Sequence, residues 1–180
     1  EANPYYFRGT HKLRHITYKL IPSRDRLLTL LQTGDVELWP AVHQSSLIPV
    51  KALSKLQTDV HPGIYYSHLD FNVTRPLVSD VRVRQAIRYA LNRKEMSEKI
   101  SHGYSIVQES MISPVLPFAP KDIPFFDYNP DRARQLLEDA GWKVGPGGMR
   151  VKNGQMLTLQ FPYYTGVSTA DETVELIRQE

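Results

Sequence analysis

Apolar residues recur along the chain with strand periodicity in some stretches and helix periodicity in others. The stretch HITYKLI, residues 15–21, alternates apolar and polar side chains and predicts a strand. A leucine-rich helix follows, which Ser23 is suited to cap and Gly34 to end. DVELW, residues 35–39, then predicts a second short strand. The order strand, helix, strand predicts a crossover unit of an α/β domain.

The remainder of the chain predicts more helices, one strand, a long loop and a hairpin. Asn129 is suited to cap a helix that has Pro130 at its first position, and Asn153-Gly154 predicts a type I′ hairpin turn. Residues 113–128 are rich in proline and predict an extended, packed loop. The other predicted elements are a helix at 47–56, a strand at 63–72, an arginine-rich helix from Asp80 and a helix at 92–100.

The arginine-rich stretch DVRVRQAIRYALNR, Asp80 to Arg93, raises the question of nucleic-acid binding. At 100° per residue, its apolar side chains form a single stripe. Arg84 and Arg88 lie on one flank of that stripe, and Arg82 and Arg93 lie on the other. A DNA-binding helix would gather its cations on one face, where they could neutralise neighbouring phosphates. The helix is therefore predicted to be architectural, and its guanidinium groups are predicted to diverge into water.

Composition narrows the possible functions. A hydrophobic content of 41% can build one or two cores, and a net charge of +3 is too small to imply a polyanionic partner. The absence of cysteine excludes disulfides, thiolate metal sites and cysteine nucleophiles. No apolar run approaches the roughly 20 residues that a membrane-spanning helix requires.

Motifs for catalysis and for metal binding are weak. Gly145–Gly148 (GPGG) follows a predicted helix and enters the hairpin, which favours a turn over a phosphate-binding loop. His11 and His15 have the spacing of helical zinc ligands, but a strand begins at His15, so packing or surface histidines are favoured. No nucleophile elbow or Ser-His-Asp set stands out. The sequence predicts no metal, no cofactor and no enzyme, and a hydrolase of unknown type is the least favoured alternative.

Four stretches, taken in order, resemble the family 5 extracellular solute-binding proteins, the dipeptide-, oligopeptide- and nickel-binding subunits of ABC importers. They are NPYYFRGTHKLRHITYKLIP with LLTLLQTGDVEL, LDFNVTRPLVSDVRVRQAIRYALNRKEM, YNPDRARQLLEDAGW and the hairpin strand MLTLQF. The resemblance extends over nearly the whole chain. Asn129 stands where the family's helix commonly has an aspartate before the proline.

The resemblance implies an α/β fold of the periplasmic-binding-protein-like type II class, a two-lobed clamshell that closes on its ligand. It implies that the chain is a middle fragment, with residues 1–69 in the later part of the first lobe and residues 70–180 in the first half of the second. It also implies a periplasmic or extracellular location, with a signal or membrane anchor in a preceding segment. The implied partners are a peptide or other small solute and the importer's membrane permease subunits.

Ligand contacts are expected where strands end, because ligands of open α/β lobes lie beyond the carboxyl ends of strands. Trp39 and His43 follow the predicted strand at 35–38 and are predicted to line the first-lobe wall. Asn72 and Thr74 are predicted at the hinge floor, although Asn72 is equally suited to shaping a turn. Two further candidates follow the hairpin strand, namely Tyr163 and Tyr164. Core packing is the competing interpretation for all three aromatic residues.

One alternative comes from a different functional class: the ligand-sensing domain of a cytoplasmic transcription regulator built on the same fold. The preceding residues would separate the two hypotheses. A signal segment with a cleavage site would favour the importer, and a helix-turn-helix would favour the regulator.

Overall fold

The computed structural model of the protein describes residues 2–164 and 169–179, and the chain divides into two compact units, Glu1–Thr58 and Asp59–Glu180. The first unit contains helices α1 (Arg24–Thr33) and α2 (Gln44–Lys51). The second contains five helices and a small antiparallel sheet among the described residues. The helices are α3 (Pro76–Ser79), α4 (Val81–Ala90), α5 (Arg93–Ser101), α6 (Pro130–Asp139) and α7 (Ala170–Gln179), and the strands are β1 (Lys143–Val144), β2 (Arg150–Lys152) and β3 (Gln155–Met156).

Helix α1 begins and ends where its capping residues predict. The Ser23 hydroxyl oxygen accepts a hydrogen bond from the Arg26 amide at 3.4 Å, and Gly34 takes a left-handed φ of 82°. The Gly34 amide then donates to the carbonyl of Leu31, which satisfies one of the last helical carbonyls. The prediction of this helix is confirmed.

Helix α2 differs from the predicted span of 47–56. It begins at Gln44 and ends at Lys51, two residues after Pro49. Proline lacks an amide donor, so the helical hydrogen-bonding pattern is weakened there. Beyond the helix the chain forms short turns, in which the Leu53 amide donates to the Val50 carbonyl and the Leu56 amide donates to the Leu53 carbonyl.

The strands predicted at 15–21, 35–39 and 63–72 are absent from the part of the chain that the structure describes, so the strand predictions are wrong for these residues. Alternating polarity specifies an extended backbone, but a strand also needs a partner for its amides and carbonyls. None of the described residues supplies these hydrogen-bonding partners. Several apolar side chains along these segments are consequently exposed, as Tyr18 shows with 90% of its surface accessible, whereas others, such as Trp39, are half-buried.

Packing of α4 against α6 forms the core of the second unit. One cluster joins Val83, Ala140 and Trp142. An adjacent cluster joins Ala86 with two residues of α6, Ala133 and Leu136. These α4 residues belong to the predicted apolar stripe, so the predicted orientation of the helix is confirmed.

Both core helices have side-chain caps. The Asp80 carboxylate accepts from the Arg82 amide at 2.9 Å, and Arg82 also donates to that carboxylate through its guanidinium group. The Asn129 side chain accepts from the Arg132 amide at 2.9 Å, and Pro130 occupies the first helical position. The cap at Asn129 and the proline after it confirm the predicted start of α6, and Asp80 caps α4 in the same way because Asp and Asn are strong N-caps.

The hairpin after α6 is confirmed, with shorter strands than predicted. Asn153 and Gly154 have φ values of 52° and 75°, as a type I′ turn requires, and β2 pairs antiparallel with β3. β1 adds a third strand on the other edge of β2. Gly145–Gly148 forms the turn between β1 and β2, in agreement with the prediction of a turn there.

Basic side chains of this sheet bind the carboxyl end of α6. Lys152 Nζ donates to the Ala140 carbonyl at 2.7 Å, and the Arg150 guanidinium donates to the Trp142 carbonyl at 3.0 Å. Glu138 joins the group through ion pairs with Lys143 and Arg150. Cations are stabilising beside the last turn of a helix, where carbonyl groups lack helical partners. Charge as well as apolar contact therefore joins the sheet to the core helices.

Among the described residues, no helix combines the length and the apolar character that crossing a bilayer would require.

Substituting Val83→Ala is expected to lower the free energy of unfolding by about 2 kcal/mol, since the removed methyl groups are fully buried and leave a cavity. Urea unfolding followed by circular dichroism measures the change. Val81→Ala is the matched control, because Val81 lies on the same helix with 51% of its surface exposed. Equal losses for both variants would contradict the proposed core.

Acid is expected to weaken the contact between the sheet and α6. The ion pairs that Glu138 makes with Lys143 and then Arg150 hold the pKa of its carboxyl below the ordinary value. A depressed carboxyl pKa in the folded state contributes stability above the unfolded-state pKa, and that contribution is lost as pH falls through the folded-state pKa. We therefore expect the Glu138→Gln variant to lose less stability than the parent protein when the pH falls below about 4.5. Thermal unfolding measures the difference. Identical acid profiles would count against this contact.

Candidate functional site

The first-unit candidates lie on the connection between α1 and α2. Trp39 and His43 are both partly buried and non-helical, and His43 directly precedes the first residue of α2. Ala41, between them, takes a left-handed φ of 58°, which turns the chain sharply. The local backbone thus sets the positions of both side chains. Their contact with a ligand remains a prediction.

Asn72 and Thr74 are brought together in a side-chain-stabilised turn. The Asn72 side-chain oxygen accepts from the Thr74 amide at 3.2 Å and from the Thr74 hydroxyl at 2.6 Å. The Asn72 carbonyl also accepts from the Arg75 amide at 3.0 Å. Asparagine commonly closes turns in this way, and the turn leads directly into α3 at Pro76. The geometry supports the turn-forming interpretation of Asn72, and ligand contact by this pair remains a prediction.

Tyr163 and Tyr164 lie on an irregular segment beyond the hairpin, and both side chains are exposed. The competing interpretation, that these rings cover the edge of a core, does not describe Tyr164, which has 84% of its surface accessible. Their role in ligand binding remains a prediction.

A charged cluster that the sequence reasoning missed lies between the helices and the proline-rich loop. The Glu109 carboxylate contacts two arginines: Arg88 Nη2 meets one oxygen, and Arg93 Nη2 lies 2.6 Å from the other. The second oxygen also accepts from the Phe126 amide at 2.8 Å. Only 5% of the Glu109 side chain is exposed, so burial of the carboxylate is balanced by two cations and one amide.

Aromatic rings and backbone carbonyls complete the surroundings of the two cations. The Arg88 guanidinium lies over the Phe126 ring at 3.9 Å, and Arg93 lies 5.2 Å from the centre of the Phe125 ring. Arg93 also donates to the Phe126 carbonyl at 2.7 Å. Burial lowers the pKa of the Arg93 guanidinium, and the neighbouring Arg88 lowers it further, whereas Asp127 raises it. Glu109 thus joins both helices to the proline-rich loop, with one oxygen bound by Arg93 and the Phe126 amide and the other facing Arg88.

This cluster corrects the prediction that all four arginines diverge into water. Arg88 and Arg93 converge on one carboxylate, because α4 ends at Ala90 and a new helix begins at Arg93. The rotation of 100° per residue therefore does not extend to Arg93. The sequence signal was Glu109 itself, a single acid in an apolar stretch close to the proline-rich loop.

Pockets occur among the described residues of the second unit. One of about 190 Å³ lies beside the cluster, lined by Arg93, Lys94, Phe125 and Asp127 among others. Another, of about 300 Å³, is lined by residues of α5 and α7 among others. Ligand sites for drug-sized molecules usually enclose roughly 300–1,000 Å³. No group of three or more metal-ligating side chains occurs in residues 2–164 and 169–179. The described arrangement provides a scaffold more clearly than it provides a complete ligand cavity.

Comparison with known proteins decides the family. The family model described as "Bacterial extracellular solute-binding proteins, family 5 Middle" matches residues 1–180. The chain belongs to the family 5 bacterial extracellular solute-binding proteins. The resemblance predicted from four sequence stretches is therefore confirmed, and so is the periplasmic-binding-protein-like type II fold class.

Family 5 relatives match nearly the whole chain. The chain is 31% identical to the oligopeptide-binding protein AppA of Bacillus subtilis, over 100% of this chain and 34% of AppA. It is 25% identical to the nickel-binding periplasmic protein of Escherichia coli, over 99% of this chain and 35% of that protein. The chain thus spans about a third of the length of these family 5 relatives.

Solved structures agree with the family assignment. AppA in complex with a nonapeptide gives a TM-score of 0.73 at 29% identity, covering 99% of this chain and 36% of AppA. NikA from Brucella suis in complex with Fe(III)-EDTA gives a TM-score of 0.76 at 19% identity, covering 89% of this chain and 33% of NikA. The second likeness supports the family 5 fold alone.

Substituting Glu109→Gln is expected to lower the stability of this family 5 chain by about 2 kcal/mol, since it leaves two partly buried arginines without their counter-charge. Differential scanning calorimetry measures this loss of stability as a lower melting temperature. Asp127→Asn is the matched control, because the Asp127–Lys94 pair is largely exposed and such pairs contribute about 0–1 kcal/mol. A Glu109 effect no larger than that of the control would show that the cluster is not an anchor.

Proposed function

We propose that the protein is the solute-binding component of an ABC importer and that it binds peptides between two lobes. The observation that carries the proposal is the likeness to AppA, whose solved structure holds a nonapeptide and matches 99% of this chain. The match of the family model to every residue of the chain supports the same conclusion.

Peptide is favoured over the other solutes that relatives bind. AppA matches the whole chain at 31% identity, whereas the glutathione-binding protein GsiB of Salmonella matches 78% of it at 28%. The nickel-binding relative matches 99% of the chain at 25% identity.

Such a receptor needs no reacting groups. It surrounds a solute, excludes water and uses hydrogen bonds and apolar contacts from both lobes. Contacts made only in the closed state shift the equilibrium towards closure. We therefore propose a non-catalytic protein, located in the periplasm or on the outer cell surface, that delivers its ligand to membrane permease subunits. A membrane anchor outside this chain would fit that location.

The regulator alternative gains no support from these relatives. AppA, the nickel-binding protein and GsiB are named for solute binding, and the family description places its members outside the cell. We also propose ligand contact for the six candidates named from the sequence, which are Trp39, His43, Asn72, Thr74, Tyr163 and Tyr164.

Trp39→Ala in the complete gene product is expected to weaken peptide binding about tenfold, since a buried aromatic contact at a binding site is commonly worth more than 1 kcal/mol. Isothermal titration with peptides of graded length measures both the affinity and the preferred length. Leu38→Ala is the control, because the neighbouring Leu38 side chain is already exposed. Unchanged affinity in a folded Trp39→Ala protein would remove Trp39 from the site. Failure of the parent protein to bind any peptide would contradict the proposed function.

A further inference from the structure

In the part of the chain that the structure describes, a buried side chain binds the irregular segment that precedes Asn72. Residues 61–68 are exposed throughout. Among the hydrogen bonds of the described residues, the one that reaches this stretch from elsewhere in the chain joins the Ser113 hydroxyl to the Gly63 carbonyl at 2.8 Å. Ser113 itself is 5% exposed, so its hydroxyl is bound in a site from which water is largely excluded.

Ser113 lies on a loop whose two ends are joined by hydrogen bonds. Arg93 donates to the Gln108 carbonyl at 3.3 Å and to the Phe126 carbonyl at 2.7 Å, and Glu109 accepts from the Phe126 amide. The loop between these points is thereby closed at its base. The Leu116 amide donates to the Ser113 carbonyl at 3.0 Å, which fixes the serine within a local turn.

The far end of the irregular segment is fastened to the same unit. The Asn72 turn leads into α3, and the Arg84 guanidinium donates to the carbonyls of Val78 and Ser79 at 2.7 and 2.9 Å. Arg84 belongs to α4, the helix at the centre of the core. The segment from Gly63 to Asn72 is thus tied to the helical framework of the second unit at both of its ends.

We propose that Ser113 is a positioning residue that fastens the segment Gly63–Asn72 to the second unit, so that this segment moves with that unit when ligand binds. The proposal rests on the proposed function, since it describes a receptor that closes. It revises the hinge expected at Asn72 and Thr74, because a segment tied at both ends cannot bend freely between them. The chain then bends before Gly63.

Distances between spin labels in the complete gene product test the proposal. This chain has no cysteine, so once any cysteine elsewhere in the product is replaced, Ser67→Cys and Lys121→Cys, both at exposed positions, place one label on the segment and one on the loop side. Without ligand, Ser113→Ala should raise the population of a detached segment about fivefold, the loss expected for one hydrogen bond. Ser110→Ala is the control, because Ser110 lies on the same loop and bonds only locally, to the Ile112 amide. An unchanged distance distribution in Ser113→Ala would overturn the proposal.

A peptide that binds in the titration can be added to distinguish a failure of this inference from a failure of the proposed function. The distance from position 67 to position 121 should stay constant, while a second pair, Lys55→Cys with Lys121→Cys, should change. A change in the first pair upon peptide binding would overturn the fastening role and leave peptide binding intact. If no peptide binds, the proposed function fails, and the ligand-free comparison of Ser113→Ala with Ser110→Ala still decides the role of Ser113.

Discussion

The buried carboxylate of Glu109 is the contact on which the arrangement of the second unit depends. It joins Arg88 of α4 and Arg93 of α5 to the amide of Phe126, which lies 33 residues beyond Arg93 in the sequence. Removing one partner of a buried ion pair is costly because the others remain desolvated. The proline-rich loop, which lacks the internal hydrogen bonds of a helix or sheet, is therefore held against the helices chiefly by contacts such as this ionic cluster and the Lys94–Asp127 pair.

Features that follow from local chemistry were predictable from the sequence. The caps Ser23, Asp80 and Asn129, and the Asn153-Gly154 turn, each form because a short polar side chain or a glycine satisfies one local backbone demand. The apolar stripe of α4 was equally readable, because a regular helix fixes the direction of every side chain. The fold class was predictable because four stretches of the sequence follow the order found in the family.

The features that could not be predicted from the sequence depend on partners that are distant in the chain. The alternating pattern at 15–21 specifies an extended backbone, yet a strand forms only beside another strand, and the described residues supply none there. Convergence of Arg88 and Arg93 was hidden for a related reason, because their shared partner, Glu109, lies on a loop whose position the sequence pattern does not fix. Ligand contacts of the site candidates were also beyond prediction, because they involve a second molecule. The position of Asn72, in contrast, is explained by its own turn.

A scaffold of this kind suits a receptor whose binding energy comes from closure, since rigid units let contacts with ligand, rather than internal rearrangement, set the open–closed equilibrium. We propose that the complete gene product carries a peptide. Native mass spectrometry of that product, purified gently from cells, is the decisive test. We expect an added mass that matches a short peptide and is lost on denaturation. A bound mass identified as a metal complex or another small solute would contradict it.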